Sequence, residues 1–194
     1  MGHGSVTLGQ ISRIALVLAT LAIAGCGTVA RNAAPSAAQI KADFKGSPAP
    51  LAAVHAEANK VLPGGTHAFK AELRSLRGYP VVVNQWGSWC TNCEQEMAVF
   101  QQVAARDGRR VAFLGDDLHE GASAGRSLLA RLPLSYPSFS DQSSAIADVL
   151  NEATASYAPI TFFYNTAGKQ VFYHDGPYVS VASLQHDIRF YLGA

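Results

Sequence analysis

Cys90 and Cys93 are the residues whose type and spacing most directly imply chemistry, separated by Thr91 and Asn92 in a C-x-x-C arrangement. Cysteines three apart on the first turn of a helix sit on one face, where they can close a disulfide or stand open as a dithiol. Upstream, Val81, Val82 and Val83 form an unbroken β-branched run, the pattern of a strand buried on both faces. Downstream, Met97, Phe100, Val103 and Ala104 recur at helical spacing before Asp107-Gly108, which predicts a helix over about 92–106. At that strand-to-helix junction, unpaired N–H groups and the positive end of the helix dipole stabilise a thiolate. Cys90, at the very start, gains most and is assigned as the attacking thiol, with Cys93 one turn deeper as the resolving thiol.

Other uses of the motif weigh less. Tetrahedral zinc needs four ligands, and the sequence has neither a second C-x-x-C nor a closely spaced pair among His55, His67, His119, His174 and His186, so no metal is expected. A structural disulfide suits an oxidising compartment. Closing so short a loop, however, removes little entropy from the unfolded chain.

The elements that must hold the pair follow from the rest of the pattern. Apolar residues at Leu51, Val54, Ala58, Val61 and Leu62, stopping at Pro63-Gly64-Gly65, predict a helix over about 49–61. Phe69, Leu73 and Leu76 mark a short amphipathic stretch, and Val111 to Leu114 a second buried strand. A helix over 123–132 ends at Pro133, a weak strand covers 136–139, and Asp141 or Ser143 caps a helix through Ile146, Val149 and Leu150. Residues 160–164 and 170–174 flank Asn165 to Gly168 as a hairpin, and a last helix covers 181–191. The alternation gives an α/β fold, a mixed sheet covered by helices.

Cys26, the odd third cysteine, ends a different kind of segment. Arg13 precedes an apolar run from Ile14 to Ala24, too short to span a bilayer but enough for a signal-peptide core. Ile23-Ala24-Gly25-Cys26 resembles the lipobox of bacterial lipoproteins. That resemblance implies residues 1–25 as signal peptide and Cys26 as the acylated N-terminus; a buried thiol is the alternative. Residues 26–48 read as an Ala-rich tether with a short helical piece around 39–44, and 49–194 as the folded domain with its helical extension. The 194 residues carry fifteen Lys and Arg against fourteen Asp and Glu, and the densest basic groups are short pairs such as Arg109-Arg110. This argues against a nucleic-acid partner and reads as solvated surface.

The string Trp86-Gly87-Ser88-Trp89-Cys90-Thr91-Asn92-Cys93-Glu94-Gln95-Glu96 resembles the active-site segment of the TlpA/ResA family of thioredoxin-like proteins. The likeness extends from about Ala68 to the C-terminus. It implies a thioredoxin-like fold with that family's extra strand–helix insertion, no cofactor beyond a redox-active Cys90–Cys93 disulfide, and Glu96 beside the thiols. There Glu96 would raise their pKa or shuttle a proton; otherwise it is an exposed helix carboxylate. Ala158-Pro159 matches the family's cis-proline, whose free backbone groups pair with an incoming peptide, and Trp86, Trp89, Thr91 and Asn92 would line the client groove. Asn84 stands where thioredoxin has a buried acid, and Asn92 where many relatives have proline, so the direction of electron flow is open. The implied activity is a lipid-anchored extracytoplasmic thiol-disulfide oxidoreductase. It would reduce disulfides of exported proteins, apocytochrome c among the candidates, and be recharged by a membrane electron donor. A dithiol oxidase and a non-catalytic binding lipoprotein are the alternatives.

Overall fold

The computed structural model describes residues 1–3, 37–151, 153 and 156–194. The chain divides into two units, residues 1–30 and 31–194, and every element below belongs to the second. The signal-peptide reading, the lipobox at 23–26 and the first part of the tether fall outside the described residues.

The element order is α1 (Ala37–Asp43), α2 (Ala49–Ala56), β1 (Val61–Leu62), α3 (Gly65–Ser75), β2 (Val81–Trp86), α4 (Thr91–Asp107), β3 (Ala112–Leu118), α5 (Ala122–Leu129), β4 (Ser138–Asp141), α6 (Ala145–Asn151), β5 (Ile160–Tyr164), β6 (Gln170–Asp175) and α7 (Val181–Leu192). The six strands form one sheet in the order β1-β4-β3-β2-β5-β6. β1, β4, β3 and β2 run parallel, while β5 is antiparallel to β2 and β6 to β5. α5 and β4 are the additional helix and strand implied by the resemblance, and β4 enters the sheet between β1 and β3.

β2 lies at the centre because all six of its residues are buried. Alternation sends Val82 and Trp86 to one face and Val81 and Val83 to the other. On the first face, α4, α5 and α7 contribute Met97, Phe100, Leu128, Leu184 and Ile188 to a core that includes both cysteines. On the second, α2, α3 and α6 contribute Leu51, Phe69 and Ile146. Burying each such side chain contributes roughly 1.5–3 kcal/mol, which is what holds the helices to the sheet.

One expected element is corrected. The helix read over 49–61 stops at Ala56, and Val61 and Leu62 are a strand paired with Ser138 and Phe139. Asn59 makes the turn at φ 60°, its backbone N–H donating to the Tyr136 carbonyl and its side chain accepting from the Leu134 N–H. Asn tolerates this left-handed conformation, so the sheet edge captures two residues whose spacing also suited a helix. β3 runs four residues beyond the expected 111–114 and carries Asp116 and Asp117 into the sheet. Asp141 caps α6, accepting from the N–H groups of Ile146 and Ala147, both at 3.0 Å.

Candidate redox site

β2 delivers the chain to the edge of the sheet, and the Gly87–Trp89 loop turns it into α4. Cys90 is the N-cap of that helix in extended conformation (φ −101°, ψ 102°), and its sulfur accepts the Cys93 N–H at 3.1 Å. The capping position that Ser or Asp fills elsewhere is thus filled by sulfur, in the environment that stabilises a thiolate. Cys90 and Cys93 are joined in a disulfide with Cα atoms 5.2 Å apart. Cys90 retains 6% exposure and Cys93 none, so an incoming group meets Cys90 first. Across from it the Ala158–Pro159 peptide bond is cis, and the Ala158 carbonyl oxygen lies 3.4 Å from the Cys90 sulfur.

Glu96 is not an exposed carboxylate: it is 1% exposed, one turn beyond Cys93 on α4. One oxygen accepts from the Asn84 side-chain amide at 2.7 Å and the other from the Tyr178 backbone N–H at 3.0 Å. Burial pushes its pKa up to about 8, and these two hydrogen bonds pull it only partly back. The acid that thioredoxin carries on the strand is therefore replaced by an amide, Asn84, that orients an acid on the helix. At neutral pH that acid holds its proton.

A second acidic group grips the loop from the other side. Glu120 accepts from the Ser88 backbone N–H at 2.6 Å and closely from the Ser88 hydroxyl. Trp89 donates its indole N–H to the Leu118 carbonyl at 3.0 Å and stacks on His119. The last residue of β3 and the two that follow it thereby hold the two residues before Cys90. Beneath them, neither oxygen of the buried Asp117 receives a hydrogen bond. Its pKa is pushed up to about 9 by burial, then by the facing Glu120 and by Asp116, against the pull of Arg126. Asp116, on the opposite face, is driven well up by burial and by Asp141.

Of the residues expected to line a client groove, Trp89, Thr91 and Asn92 are exposed, Ala158 is half-buried and Pro159 is buried. Trp86 is corrected: it is fully buried and donates its indole N–H to Ser138 Oγ at 3.1 Å, so it supports the loop from inside the core. That packing is close. A Cβ on Gly115 would sit 2.1 Å from Ser138 Oγ and 2.8 Å from the Trp86 indole nitrogen, so only glycine fits. Glu120, Ser88, Asp117 and Tyr178 escaped the sequence reading. The consecutive acids after an apolar strand were the one available signal for Asp117. No spacing links Ser88 to Glu120 or Glu96 to Tyr178. Among the described residues no group of His, Cys, Asp and Glu could hold a metal ion.

The strand order, the C-x-x-C at the start of α4 and the cis X-Pro opposite it define a thioredoxin-like protein. No family model matches the chain. Over 103 residues it is 27% identical to thiol-disulfide oxidoreductase ResA of Bacillus cereus, covering 53% of this chain and 58% of that protein. Over 107 residues it is 26% identical to ResA of Bacillus subtilis, covering 55% and 58%. The chain therefore spans a little over half the length of the curated relatives it matches. Among solved structures it is similar to a secreted disulfide oxidoreductase of Mycobacterium tuberculosis homologous to DsbE of E. coli (25% identity, TM-score 0.52, 59% of this chain and 84% of that one). A DsbF homologue of Corynebacterium diphtheriae aligns at 22% identity and TM-score 0.55, over 60% and 74%. This chain thus has a thioredoxin-like fold and is similar in sequence to ResA over about half its length.

Proposed function

We propose that the chain is an extracytoplasmic thiol-disulfide oxidoreductase that reduces disulfides of exported proteins. The observation that supports this most directly is a disulfide at a helix N-cap facing a cis-proline, with one sulfur reachable and the other sealed. In the reduced protein the Cys90 thiolate attacks one sulfur of a client disulfide. A Cys90–client bond forms and the second client sulfur leaves as a thiolate that takes up a proton. The Cys93 thiol then gives up its proton and attacks Cys90 Sγ; the Cys90–Cys93 bond forms and the first client sulfur leaves. Two electrons pass to the client, and an external dithiol or membrane electron donor must return them.

Glu96 supports the reducing direction. As pH approaches 8 the Glu96 carboxyl, one turn from Cys93, ionises, and its charge then disfavours a second negative charge beside it, which raises the thiol pKa and weakens the stabilisation of the reduced form that characterises strong oxidants. Only in its ionised form, populated as pH nears 8, can the same group take up a proton from Cys93. We further read Cys26 as the lipid-anchored residue; support comes from the lipobox-like 23–26 segment. Among the described residues no helix is long and apolar enough to cross a membrane.

Titrating the potential of the Cys90–Cys93 pair together with the Cys90 thiol pKa tests the reading. A reducing potential with a thiol pKa near or above neutrality is expected. A strongly oxidising potential with a low thiol pKa would reverse the direction. Mass spectrometry of the membrane fraction should find diacylglyceryl on Cys26, and an unmodified cysteine there would remove the anchor.

A further inference from the structure

Arg109 and Arg110 are a short pair in the sequence, but the fold does not leave them alone. Arg106 from the last turn of α4 joins them around Gly46 to line a cavity of about 360 Å³. Beside it, Lys41 and Lys45 rim a second cavity of about 530 Å³ floored by Phe44, Ala52 and Ala56. The two cavities adjoin because Phe44 stacks on His55, with ring centroids 3.4 Å apart, and the His55 Nε2–H donates to the Gly108 carbonyl at 2.8 Å. All five cations are exposed. Their neighbouring acid is Asp107, which is occupied by Arg110 at 2.8 Å and by Gln185 at 3.0 Å. Lys41 and Lys45 lie one turn apart on one face of the chain, whereas Asp43 falls between them on another.

The position in the fold gives this cluster its meaning. α4 runs away from the disulfide for seventeen residues, roughly 25 Å, and ends in the cationic patch. The same pole gathers Arg77 and Lys169, brought together where the Gly78 N–H donates to the Thr166 carbonyl at 2.8 Å. The opposite pole carries Glu94 and Glu120 around the redox loop, with Arg131 paired to Glu94 and Arg126 facing Asp117, while Glu96 and Asp117 hold their protons at neutral pH. Net charge is only +1, yet five cations gather at the far end of α4.

We propose that the cationic pole is a docking surface for anionic phospholipid headgroups, seating the domain so that the Cys90–Cys93 disulfide faces away from the membrane. This deepens the membrane-associated reading above and rests on it. Guanidinium groups pair bidentately with phosphate, and three converge on one cavity. Flanking lysines extend the attraction across a flat surface, at about fivefold in affinity per cation.

The test uses residues 31–194, which hold both hydrophobic cores. Sedimentation with phosphatidylglycerol vesicles at low salt should recover the domain, and phosphatidylcholine vesicles should not. Lys41→Gln, Lys45→Gln, Arg106→Gln, Arg109→Gln and Arg110→Gln together should weaken binding at least tenfold. Arg126→Gln with Arg131→Gln at the other pole should change it less than twofold. The lysine pair alone, remote from Asp107, serves as a milder variant should the fivefold one fail to fold. Equal binding to both vesicle types, equal binding by the variants, or preference for soluble polyglutamate over phosphatidylglycerol would each overturn the proposal. Insulin-disulfide reduction in solution should be unchanged by the five substitutions, so failure of the redox reading and failure of the docking surface register separately.

Discussion

The two faces of the sheet share β2 residue by residue and are built on different principles. The face under α2, α3 and α6 is mostly packing, with Leu51, Phe69, Leu76, Val83, Ile146 and Phe162 contributing their area and Asp116 and Asp141 as its buried acids, away from the thiols. The face under α4, α5 and α7 is just as buried but threads function through the packing, with both cysteines, Glu96, the Trp86–Ser138 bond and Tyr178 inside it. The contrast shows that the redox centre is the end of a core into which charge has been admitted at stated points.

The sharpest break in the comparison is Cys90→Ser, which should lower disulfide-exchange turnover by three orders of magnitude or more, since the thiolate is the nucleophile. Cys93→Ser should instead accumulate mixed disulfides, visible on non-reducing gels. On the other face, Phe69→Ala should cost about 3–5 kcal/mol in chemical denaturation while leaving the rate per folded molecule unchanged. A rate loss beyond the unfolded fraction would show that the faces are coupled.

Glu96 tests the admitted charge. Its folded-state pKa of about 8 lies above the unfolded value near 4.5, so the folded protein holds the proton more tightly. Its stabilising effect is complete below about pH 4.5 and is lost as pH rises to 8, on the order of 5 kcal/mol in all. Glu96→Gln should flatten that part of the curve in denaturation series, while Asp117 keeps a residual slope toward pH 9. Glu120→Gln should be milder, about 1 kcal/mol with a several-fold fall in turnover, because one amide oxygen replaces the two carboxylate oxygens that accept from Ser88. It should also lower the Asp117 pKa, read by carboxyl NMR titration. Smallest is Arg131→Gln, which opens the exposed 3.2 Å pair with Glu94 and should cost under about 0.5 kcal/mol.

Much of the first face was legible beforehand. The β-branched run, the C-x-x-C and the helical spacing from Met97 to Ala104 each carry local information, and the structure places β2, α4 and the disulfide where they point. Trp86 was misread because exposure is not local: an aromatic beside a cysteine motif looks the same whether it lines a groove or plugs a core. Val61 and Leu62 were misread for a related reason, since two apolar residues suit a helix or an edge strand until a partner strand is present.

Local pattern alone determined the chemistry available here, two thiols at a strand-to-helix junction, because dihedral preference and short-range spacing suffice to specify it. Tertiary structure decided which acids surround those thiols and which stay protonated, since Asn84, Glu96 and Tyr178 meet only when three elements pack. It likewise gathered Lys41 and Lys45 beside Arg106, Arg109 and Arg110 from opposite sides of the sequence. Charge in a chain has no direction until folding gives each residue a place in space.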